Sequence, residues 1–386
     1  MAKSALVLDP WNGSGTTTYA ASQLGLASRG FDINPVMLIV ARARLLPRSE
    51  ADVLEPLARE VVKNLRGAQA RVRDEDPLLS WFTLPTVALI RALDERIQDH
   101  FLGNLTRTKS GIKLENLSGL AATFYVALFS LCRHLAASYQ SSNPTWLRQP
   151  RDDEYVIESD REEIVAMFLA NIQAMAATLA ARPAHDGKIA DSDLFIADTA
   201  ALTLAKKVDF ILTSPPYCTR IDYAAATRIE LALLHPLLGI DMKELGRRMI
   251  GSTRVPTAAV ARDAEWGATC GRFLKAVKKH PSKASSGYYY KTHLDYFAKM
   301  HASLTNLSDV LKDGGKAVLV VQDSYYKDVH NDLATIITEM AGGADLKLGR
   351  RVDFHITRSM AGVNPHSRTY RRASGAVESV LCFQKH

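Results

Sequence analysis

An apolar run that ends in two consecutive prolines limits the folds open to this chain. Residues 208–212 are Val-Asp-Phe-Ile-Leu, which predicts a buried strand, and residues 213–217 are Thr-Ser-Pro-Pro-Tyr. Neither proline has an N–H for a strand ladder, and each fixes its own φ, so the strand must stop there. Ser214 and Tyr217 are therefore predicted to lie on a stiff loop at the carboxyl end of the strand, where an open α/β sheet binds ligands.

This loop carries groups that suit an exocyclic amine on a nucleobase. The Ser214 hydroxyl and the carbonyls beside the prolines can accept hydrogen bonds from an amino group, and the ring of Tyr217 offers a face for stacking. The alternative is a proline-rich turn with a packed tyrosine, which needs no ligand. A second motif near the N-terminus favours the first interpretation.

A glycine turn follows the first predicted strand. Residues 5–8 are apolar, and Gly13 and Gly15 follow before a helical pattern. The glycines let the backbone turn sharply and approach a ligand, while the helix directs its N-terminal N–H groups to the same place. A second strand ends in Asp32, at a spacing typical of a carboxylate that binds a ribose diol. The segment lacks the Gly-Lys-Ser/Thr of a phosphate loop and begins with Asp9, so it favours a cationic nucleoside over a phosphate.

The two motifs together resemble those of amino-methyltransferases that use S-adenosylmethionine. Residues 9–17, Asp-Pro-Trp-Asn-Gly-Ser-Gly-Thr-Thr, are similar to the family's first motif D-P-F-x-G-S-G-T-T, although Trp11 and Asn12 stand where Phe and Cys are commoner. Residues 213–217 resemble the catalytic motif in the S-P-P-Y form that is typical of cytosine-N4 DNA methyltransferases. Adenine-N6 relatives more often carry Asp or Asn in place of Ser214, so the resemblance implies cytosine N4 as the target.

The resemblance also implies a fold, a cofactor, a partner and two sets of site residues. The implied fold is an α/β, Rossmann-like, doubly wound mixed sheet of the class I methyltransferase type with a large helical insertion. The implied cofactor is S-adenosylmethionine, and the implied partner is double-stranded DNA from which the target base is flipped out. The implied catalytic residues are Ser214, Pro215, Pro216 and Tyr217. The implied cofactor-binding residues are Asp9, Pro10, Asn12, Gly13, Ser14, Gly15, Thr16, Thr17, Asp32, Ile33, Asn34 and Asp198.

Asp198 closes a third predicted strand, and two roles are open for it. In the resembling family an acid at this place lies near the adenine of the cofactor. The same side chain suits the N-cap of a helix that begins at Thr199.

The sequence pattern divides the chain into three segments. Residues 1–48 and 185–386 alternate strands and helices, and they are predicted to form the cofactor-binding and catalytic parts of one methyltransferase domain. Residues 49–184 show helical periodicity almost throughout, with predicted helices at 53–65, 84–101, 117–139 and 161–181. This insertion is expected to read the DNA sequence, or to act as a scaffold or a dimer surface. Beyond it come a predicted helix at 291–311, a strand at 317–321 after a glycine turn, and strands at 351–356 and 377–383 around a basic loop.

Charge and cysteine usage indicate a cytoplasmic protein with a polyanionic partner. The 386-residue chain has a formal net charge of +7, and residues 246–283 are rich in Arg and Lys, which makes them candidates for phosphate contacts. The four cysteines are scattered without a Cys-x-x-Cys pair, so neither a metal site nor a disulfide is predicted. The sequence shows no signal peptide and no run of 18 apolar residues, so no membrane span is predicted.

One departure from the family concerns the first strand. Relatives usually have an upstream helix that closes over the methionine end of the cofactor, whereas this chain begins four residues before that strand. The helix is then supplied by another part of the fold or by another chain, as in a dimer or with a second subunit, or the pocket is more open than usual.

Three other functions stay open at this point. They are adenine-N6 methylation of DNA, amino-methylation of RNA at guanine N2, and a DNA- or cofactor-binding subunit without catalysis. The motifs fix neither the recognised DNA site nor the biological setting, such as restriction–modification.

Overall fold

Eleven strands and twelve helices make up the part of the chain that the structure describes. The structure is a computed structural model that gives residues 5–63, 65, 71–103, 107–108, 111–141, 146–151, 154–184, 189–218, 223–239, 241–252, 254, 260–356 and 376–386. The strands are β1 (Val7–Asp9), β2 (Ser28–Asp32), β3 (Arg107–Thr108), β4 (Gly111–Ile112), β5 (Ser192–Ile196), β6 (Val208–Thr213), β7 (Leu311–Gln322), β8 (Ser324–Tyr326), β9 (Val329–Asn331), β10 (Leu346–Ile356) and β11 (Ala376–Lys385). The helices are α1 (Thr16–Gln23), α2 (Pro35–Arg44), α3 (Ala51–Lys63), α4 (Leu84–Phe101), α5 (Gly119–Leu135), α6 (Arg161–Ala180), α7 (Tyr223–Ala226), α8 (Arg228–Leu238), α9 (Met242–Arg248), α10 (Gly267–Lys279), α11 (Tyr290–Val310) and α12 (Leu333–Gly343).

Seven strands form one mostly parallel sheet in the order β10-β11-β7-β6-β1-β2-β5. β11 is antiparallel to both of its neighbours, and the other adjacent pairs are parallel. The chain starts at β1, builds outward through β2 and β5, and then returns to the other side of β1 with β6. Such a reversal opens a crevice at the carboxyl ends of β1 and β6, where open α/β sheets bind ligands. The α/β class predicted from the sequence is confirmed, and the sheet is compatible with a Rossmann-like arrangement.

Local side-chain chemistry places the helix that follows β2. Asn34 accepts a hydrogen bond from the Val36 N–H at 3.1 Å and so caps α2, and Pro35 occupies the first helical position. Both residues are typical of a helix start, because the cap satisfies a free N–H and proline has none to satisfy. The carboxyl end of β2 and the start of α2 are therefore fixed within three residues.

The four long helices predicted between residues 49 and 184 are present as α3, α4, α5 and α6. Within the insertion α6 packs against α3, and α5 packs against both α6 and α2. One continuous buried core runs from α2 through the insertion to α8, and it includes Ile39, Phe124, Phe168 and Leu231. The insertion therefore shares its core with helices that belong to the sheet-bearing segments.

A buried ionic network joins the insertion to α8. The Arg91 guanidinium donates to Asp76 Oδ2 at 2.7 Å and to the Leu233 carbonyl at 2.6 Å. Asp94 lies 3.5 Å from Arg91 and accepts a hydrogen bond from the Tyr125 hydroxyl at 3.0 Å. Arg91, Asp76 and Asp94 are all buried, so each charge depends on these partners. Since α8 follows the Pro-Pro loop in the chain, this network fixes the insertion to the segment that carries this loop.

The bounds of β7 differ from the prediction around Gly314 and Gly315. The strand predicted at 317–321 begins earlier, at Leu311, directly after α11. Its register with β6 shifts between Leu311 and Lys316, and Gly314 has a φ of 72°. The glycines therefore form an irregularity inside β7, and the prediction of a turn before the strand was wrong. The strands predicted at 351–356 and 377–383 are present as the antiparallel pair β10 and β11, and the basic loop between them lies outside the described residues.

Two helices are long and apolar enough to cross a membrane by length and composition alone. One is α5 with the turn after it (Gly119–Tyr139), and 61% of its most apolar window is buried inside the protein. The other is α6, whose Ile164, Phe168 and Ile172 face the core, while its outward face carries small or polar residues such as Glu163 and Gln173. Each of the two helices therefore packs one face against the core.

Candidate active site

A buried carboxylate joins the two motifs that the sequence places about two hundred residues apart. The Thr213 hydroxyl donates to Asp9 Oδ1 at 2.6 Å, and the Trp11 N–H donates to the same oxygen at 3.2 Å. Asp9 ends β1 and Thr213 ends β6, and the two strands pair directly in the sheet. The glycine loop and the Pro-Pro loop therefore leave the sheet side by side, as their predicted cooperation requires.

A cavity of about 460 Å³ lies at this edge of the sheet. It is lined by all four predicted catalytic residues and by Gly13, Asp32, Ile33, Asn34 and Asp198 from the predicted cofactor set. The remaining lining residues are Trp11, Met37, Ala197, Thr199, Tyr223, Ala226, Thr227, Arg248, Met249 and Ile250. Its volume is within the range of cavities that hold small ligands.

The glycine loop is held in place by Asp32 and by close packing. The Gly13 N–H donates to Asp32 Oδ2 at 2.9 Å, and Gly13 has a φ of 48°. Gly15 has a φ of 81°, and a Cβ added there would lie 2.7 Å from the Cβ of Ala41 in α2. Gly15 is therefore required both for the turn into α1 and for the approach of that turn to α2.

The other predicted cofactor residues shape the loop from outside the cavity lining. Asn12 is buried, and its Oδ1 accepts from the Thr18 hydroxyl at 3.0 Å. The Ser14 carbonyl accepts from Arg44 Nε at 2.8 Å, and the Pro10 carbonyl accepts from the Thr199 hydroxyl at 2.6 Å. Asp9, Gly15, Thr16 and Thr17 also lie outside the lining residues. Their predicted contact with the cofactor therefore stays a prediction, while their support of the loop is visible.

Acidic groups dominate the charge around the cavity. Burial raises the pKa of Asp9 to about 6 and the pKa of Asp32 to about 6. Asp32 accepts backbone N–H groups on both oxygens, from Gly13 at 2.9 Å and from Asn34 at 2.8 Å. Each carboxylate oxygen has a second lone pair, so Asp32 can still accept hydrogen bonds from a diol.

Asp198 has the predicted role of a cap and also lines the cavity, while its place near the adenine of the cofactor stays a prediction. Its Oδ1 accepts from the Ala200 N–H at 3.0 Å, which caps a short 3-10 turn at Thr199–Ala201, and the residue lines the cavity. Its Oδ2 lies 3.7 Å from Arg248 Nε. The contact between Arg248 and Asp198 therefore joins the end of α9 to the segment that follows β5, across the cavity.

The Pro-Pro loop is fixed by hydrogen bonds on both sides. The Tyr296 hydroxyl donates to the Pro216 carbonyl at 2.8 Å, and the Tyr217 N–H donates to the Tyr223 hydroxyl at 3.3 Å. The Ser214 hydroxyl is exposed and lies 3.2 Å from the Val320 carbonyl. The loop therefore presents Ser214 and Tyr217 on a backbone that has little freedom, as its two prolines predict.

Cys218, beside this loop, is buried, and the Ser324 hydroxyl donates to its carbonyl at 2.9 Å. Burial raises the pKa of its thiol, so the sulfur stays protonated and is a poor nucleophile at neutral pH.

Several lining residues escaped prediction because they reach the cavity only through tertiary structure. The Asn34 amide donates to the Thr227 hydroxyl at 2.8 Å, which brings the start of α8 to the cofactor half. Met249 and Ile250 line the same cavity from the segment after α9, whereas Tyr223 of α7 was expected there because it follows the Pro-Pro loop closely in the sequence. The basic stretch marked Arg248 as a cation, but no local pattern marks its neighbours Met249 and Ile250 as lining residues.

No family model matches the chain, and no curated protein matches it. The function must therefore be argued from the motifs and from the geometry of this cavity.

Proposed function

We propose that this chain is an S-adenosylmethionine-dependent DNA methyltransferase that modifies an exocyclic amino group of a flipped base, with cytosine N4 as the target. The single observation that carries the proposal is the meeting of the two motifs. The 2.6 Å bond between Thr213 and Asp9 joins them, and Gly13 and Pro215 line one cavity. Neither motif alone has this weight, because short motifs often occur by chance.

The cavity suits a cationic nucleoside of the size of S-adenosylmethionine. Asp32 and Asp198 line it with carboxylates, and Arg248 is already paired with Asp198. Ile33, Met249 and Ile250 add apolar surface of the kind that packs on a purine. Asp32 would hold the ribose hydroxyls, and the loop at Gly13 would approach the rest of the cofactor. The cofactor, when bound, supplies a methyl group on a positively charged sulfur.

The protein's own contribution is to hold and expose the target amine. The nitrogen lone pair of an exocyclic amine is delocalised into the ring, so the amine is a weak nucleophile. Hydrogen bonds from its N–H groups to the Ser214 hydroxyl and to the Pro215 carbonyl would favour a tetrahedral nitrogen and free the lone pair. Tyr217 would stack on the ring and keep it in line, and alignment of this kind supplies much of the rate gain in a transfer reaction.

A base inside a duplex cannot reach this cavity, so the proposal requires base flipping at a cost of about a few kcal/mol. The net charge of +7 and the exposed cations Arg272, Lys275 and Lys279 on α10 suit contacts to phosphates. A DNA substrate also fits the cytoplasmic location that the sequence predicts.

Tritiated S-adenosylmethionine incubated with duplex DNA or with tRNA tests the proposal. We expect label on DNA, and digestion to nucleosides should give N4-methylcytosine. Ser214→Ala and Tyr217→Ala should each lower incorporation at least ~100-fold, as expected for loss of groups that position the reacting amine, while cofactor binding stays within a factor of about two. Leu24→Ala is the control, because Leu24 is 76% exposed at the end of α1 and is not among the lining residues of the cavity.

Each other result has a defined meaning. Label on adenine or on tRNA would show that the target is not cytosine N4 of DNA, while methyl transfer would still be the reaction. Cofactor binding without label on either nucleic acid would favour a non-catalytic subunit. Full activity in both variants would remove Ser214 and Tyr217 from the site.

A further inference from the structure

A glutamate lies directly behind the Pro-Pro loop, at the start of β11. The Tyr217 hydroxyl donates to Glu378 Oε1 at 3.2 Å, and the Ser214 hydroxyl lies 3.5 Å from the Tyr217 hydroxyl. Ser214 and Tyr217 line the cavity, whereas Glu378 is not among its lining residues. The three groups therefore form a line that leads from the cavity wall to a carboxylate.

The proposed reaction produces a proton that needs an acceptor. When an amine nitrogen takes a methyl group, the new C–N bond forms as the C–S bond breaks, and its electron pair stays on sulfur. The nitrogen then carries a positive charge until one of its N–H protons leaves. A positioned base that removes such a proton contributes about 10²–10⁴-fold in rate.

We propose that Glu378 is the proton acceptor for this site and that it acts through Tyr217 and Ser214; this inference rests on the proposed function. The amine proton passes to Ser214 Oγ while the Ser214 proton passes to the Tyr217 oxygen, and the Tyr217 proton passes to Glu378 Oε1. Both hydroxyls are restored, the amine is neutral, and Glu378 ends as a carboxylic acid that returns its proton to water. No other reactant is needed for the balance.

The surroundings of Glu378 suit this role. Its cross-strand neighbours are Gln322 on β7 and Phe354 on β10, and neither is charged. Asp323, between β7 and β8, is a nearby charged group; it accepts from the Val377 N–H at 2.7 Å and pairs with His330 at 2.8 Å. Among the ion pairs of the described residues, none includes Glu378. The carboxylate is therefore not neutralised by a cation in that part of the chain.

Two further titratable residues on β10 are Asp353 and His355, which pair in register with the residues on either side of Glu378. Asp353 accepts from the Ser379 hydroxyl at 2.6 Å, and Ser379 points to the opposite face from Glu378. His355 pairs in register with Val377 and so belongs to that opposite face as well. The Tyr217 phenol is then the titratable group that Glu378 contacts.

The phenol is also in the right protonation state to pass a proton. Burial raises the pKa of Tyr217, and the neighbouring Glu378 carboxylate raises it further. Tyr217 therefore keeps its proton at neutral pH and can donate it to Glu378. In this structure the Ser214 hydroxyl donates to the Val320 carbonyl at 3.2 Å, and it must rotate towards the Tyr217 oxygen, 3.5 Å away, for the relay. Catalytic hydrogen bonds are commonly this long before a substrate is bound.

Glu378→Gln tests the relay, because glutamine keeps an acceptor oxygen for the Tyr217 hydroxyl but cannot take a proton. In single-turnover methylation of duplex DNA we expect the rate to fall at least ~10²-fold, with cofactor and DNA affinity within a factor of about two of wild type. The pH profile of the rate should differ between wild type and the variant, because only the wild type has a proton acceptor at this position. Asp353→Asn is the matched control, because it removes a carboxylate from the neighbouring strand, outside the relay, and should leave both rate and pH profile unchanged.

Tyr217 also gives a readout that needs no turnover. With tyrosine labelled at its ring Cζ, the signal missing from Tyr217→Phe identifies Tyr217, and its phenol pKa should fall in Glu378→Gln. A wild-type rate and pH profile in Glu378→Gln, or a phenol that does not respond, overturns the relay while the proposed function stands. Absence of methyl transfer by the wild-type protein on any nucleic acid instead overturns the proposed function, and with it the need for an acceptor.

Discussion

Asp9 and Asp32 hold the loops of the candidate site at the cost of their own solvation. Burial raises the pKa of each to about 6 from an ordinary value of 3.8, and Asp9 adds a smaller increase at Asp32 through charge repulsion. Because the folded pKa lies above the unfolded one, the folded protein binds these protons more tightly. The contribution of both groups to the free energy of unfolding therefore falls as pH rises from about 4 to about 6.

Binding of a cationic cofactor should restore part of the free energy of unfolding that is lost when the two aspartates ionise. S-adenosylmethionine prefers ionised carboxylates, so the rise in Tm that it causes should be larger at pH 7 than at pH 5. S-adenosylhomocysteine has a neutral sulfur and otherwise the same groups, so its effect on Tm should vary less with pH. Thermal unfolding with each compound at several pH values measures this. Since Asp32 is proposed to hold the ribose hydroxyls that both compounds share, a rise in Tm with S-adenosylmethionine that is no larger at pH 7 than at pH 5 would contradict the proposed role of the acids.

At the scale of single residues, the sequence predicts the groups that act locally and misses those that arrive from a distance. Gly13, Asp32 and Ser214 are identified by turn chemistry and spacing within their own motifs, and all three line the cavity. Arg248 and Glu378 reach the site because α9 ends, and β11 begins, near the same edge of the sheet. Only the order of the strands decides that meeting, and no local pattern encodes it.

At the scale of elements, the ionic network around Arg91 joins the insertion to α8, in the segment that carries the Pro-Pro loop. Arg91→Ala would leave Asp76 and Asp94 buried without their cation, so we expect a loss of about 3–5 kcal/mol in the free energy of unfolding. The exposed pair of Arg59 and Glu55 offers the control, and Arg59→Ala should cost less than about 1 kcal/mol. Urea unfolding followed by circular dichroism measures both.

The same experiment tests whether the insertion unfolds by itself. Since one core runs from α2 through the insertion to α8, we expect a single transition in wild type and in Arg91→Ala. Calorimetry that shows two separate transitions would contradict this coupling.

Helical periodicity predicted the helices of the insertion, whereas the glycine irregularity in β7 was not predicted. The predicted helices at 84–101 and 161–181 coincide with α4 and α6 to within one residue, because apolar side chains recur at helical spacing along each. The segment around Gly314 has turn-like residues, and the pairing of Leu311 and Lys316 with β6 on either side of it places it within the strand as an irregularity. Strand boundaries of this kind depend on partners that lie far away in the chain.

At the scale of the whole molecule, the basic carboxyl end of α10 lies on the side of the sheet that carries the candidate site. α10 ends at Lys279, and the next residue, His280, contacts Asp328 at 2.7 Å in the turn between β8 and β9. That hairpin begins just after the carboxyl end of β7, which is the edge that carries the candidate site. Lys275 and Lys279 are exposed one helical turn apart near this end, so DNA whose base enters the cavity would pass close to them.

The salt dependence of DNA binding tests this placement. Each phosphate contact adds about 0.9 to the slope of log K against log salt concentration, so the double variant Lys275→Ala and Lys279→Ala should lower the slope by up to about 1.8. The matched control removes two exposed cations from the insertion, Arg59→Ala with Lys63→Ala, which already pair with Glu55 and Glu60. Fluorescence anisotropy with labelled duplex DNA at several salt concentrations measures both slopes. If the slope falls in the control variant and not in the α10 variant, the phosphate contacts belong to the insertion. Counterion release counts only the cations that contact the DNA backbone.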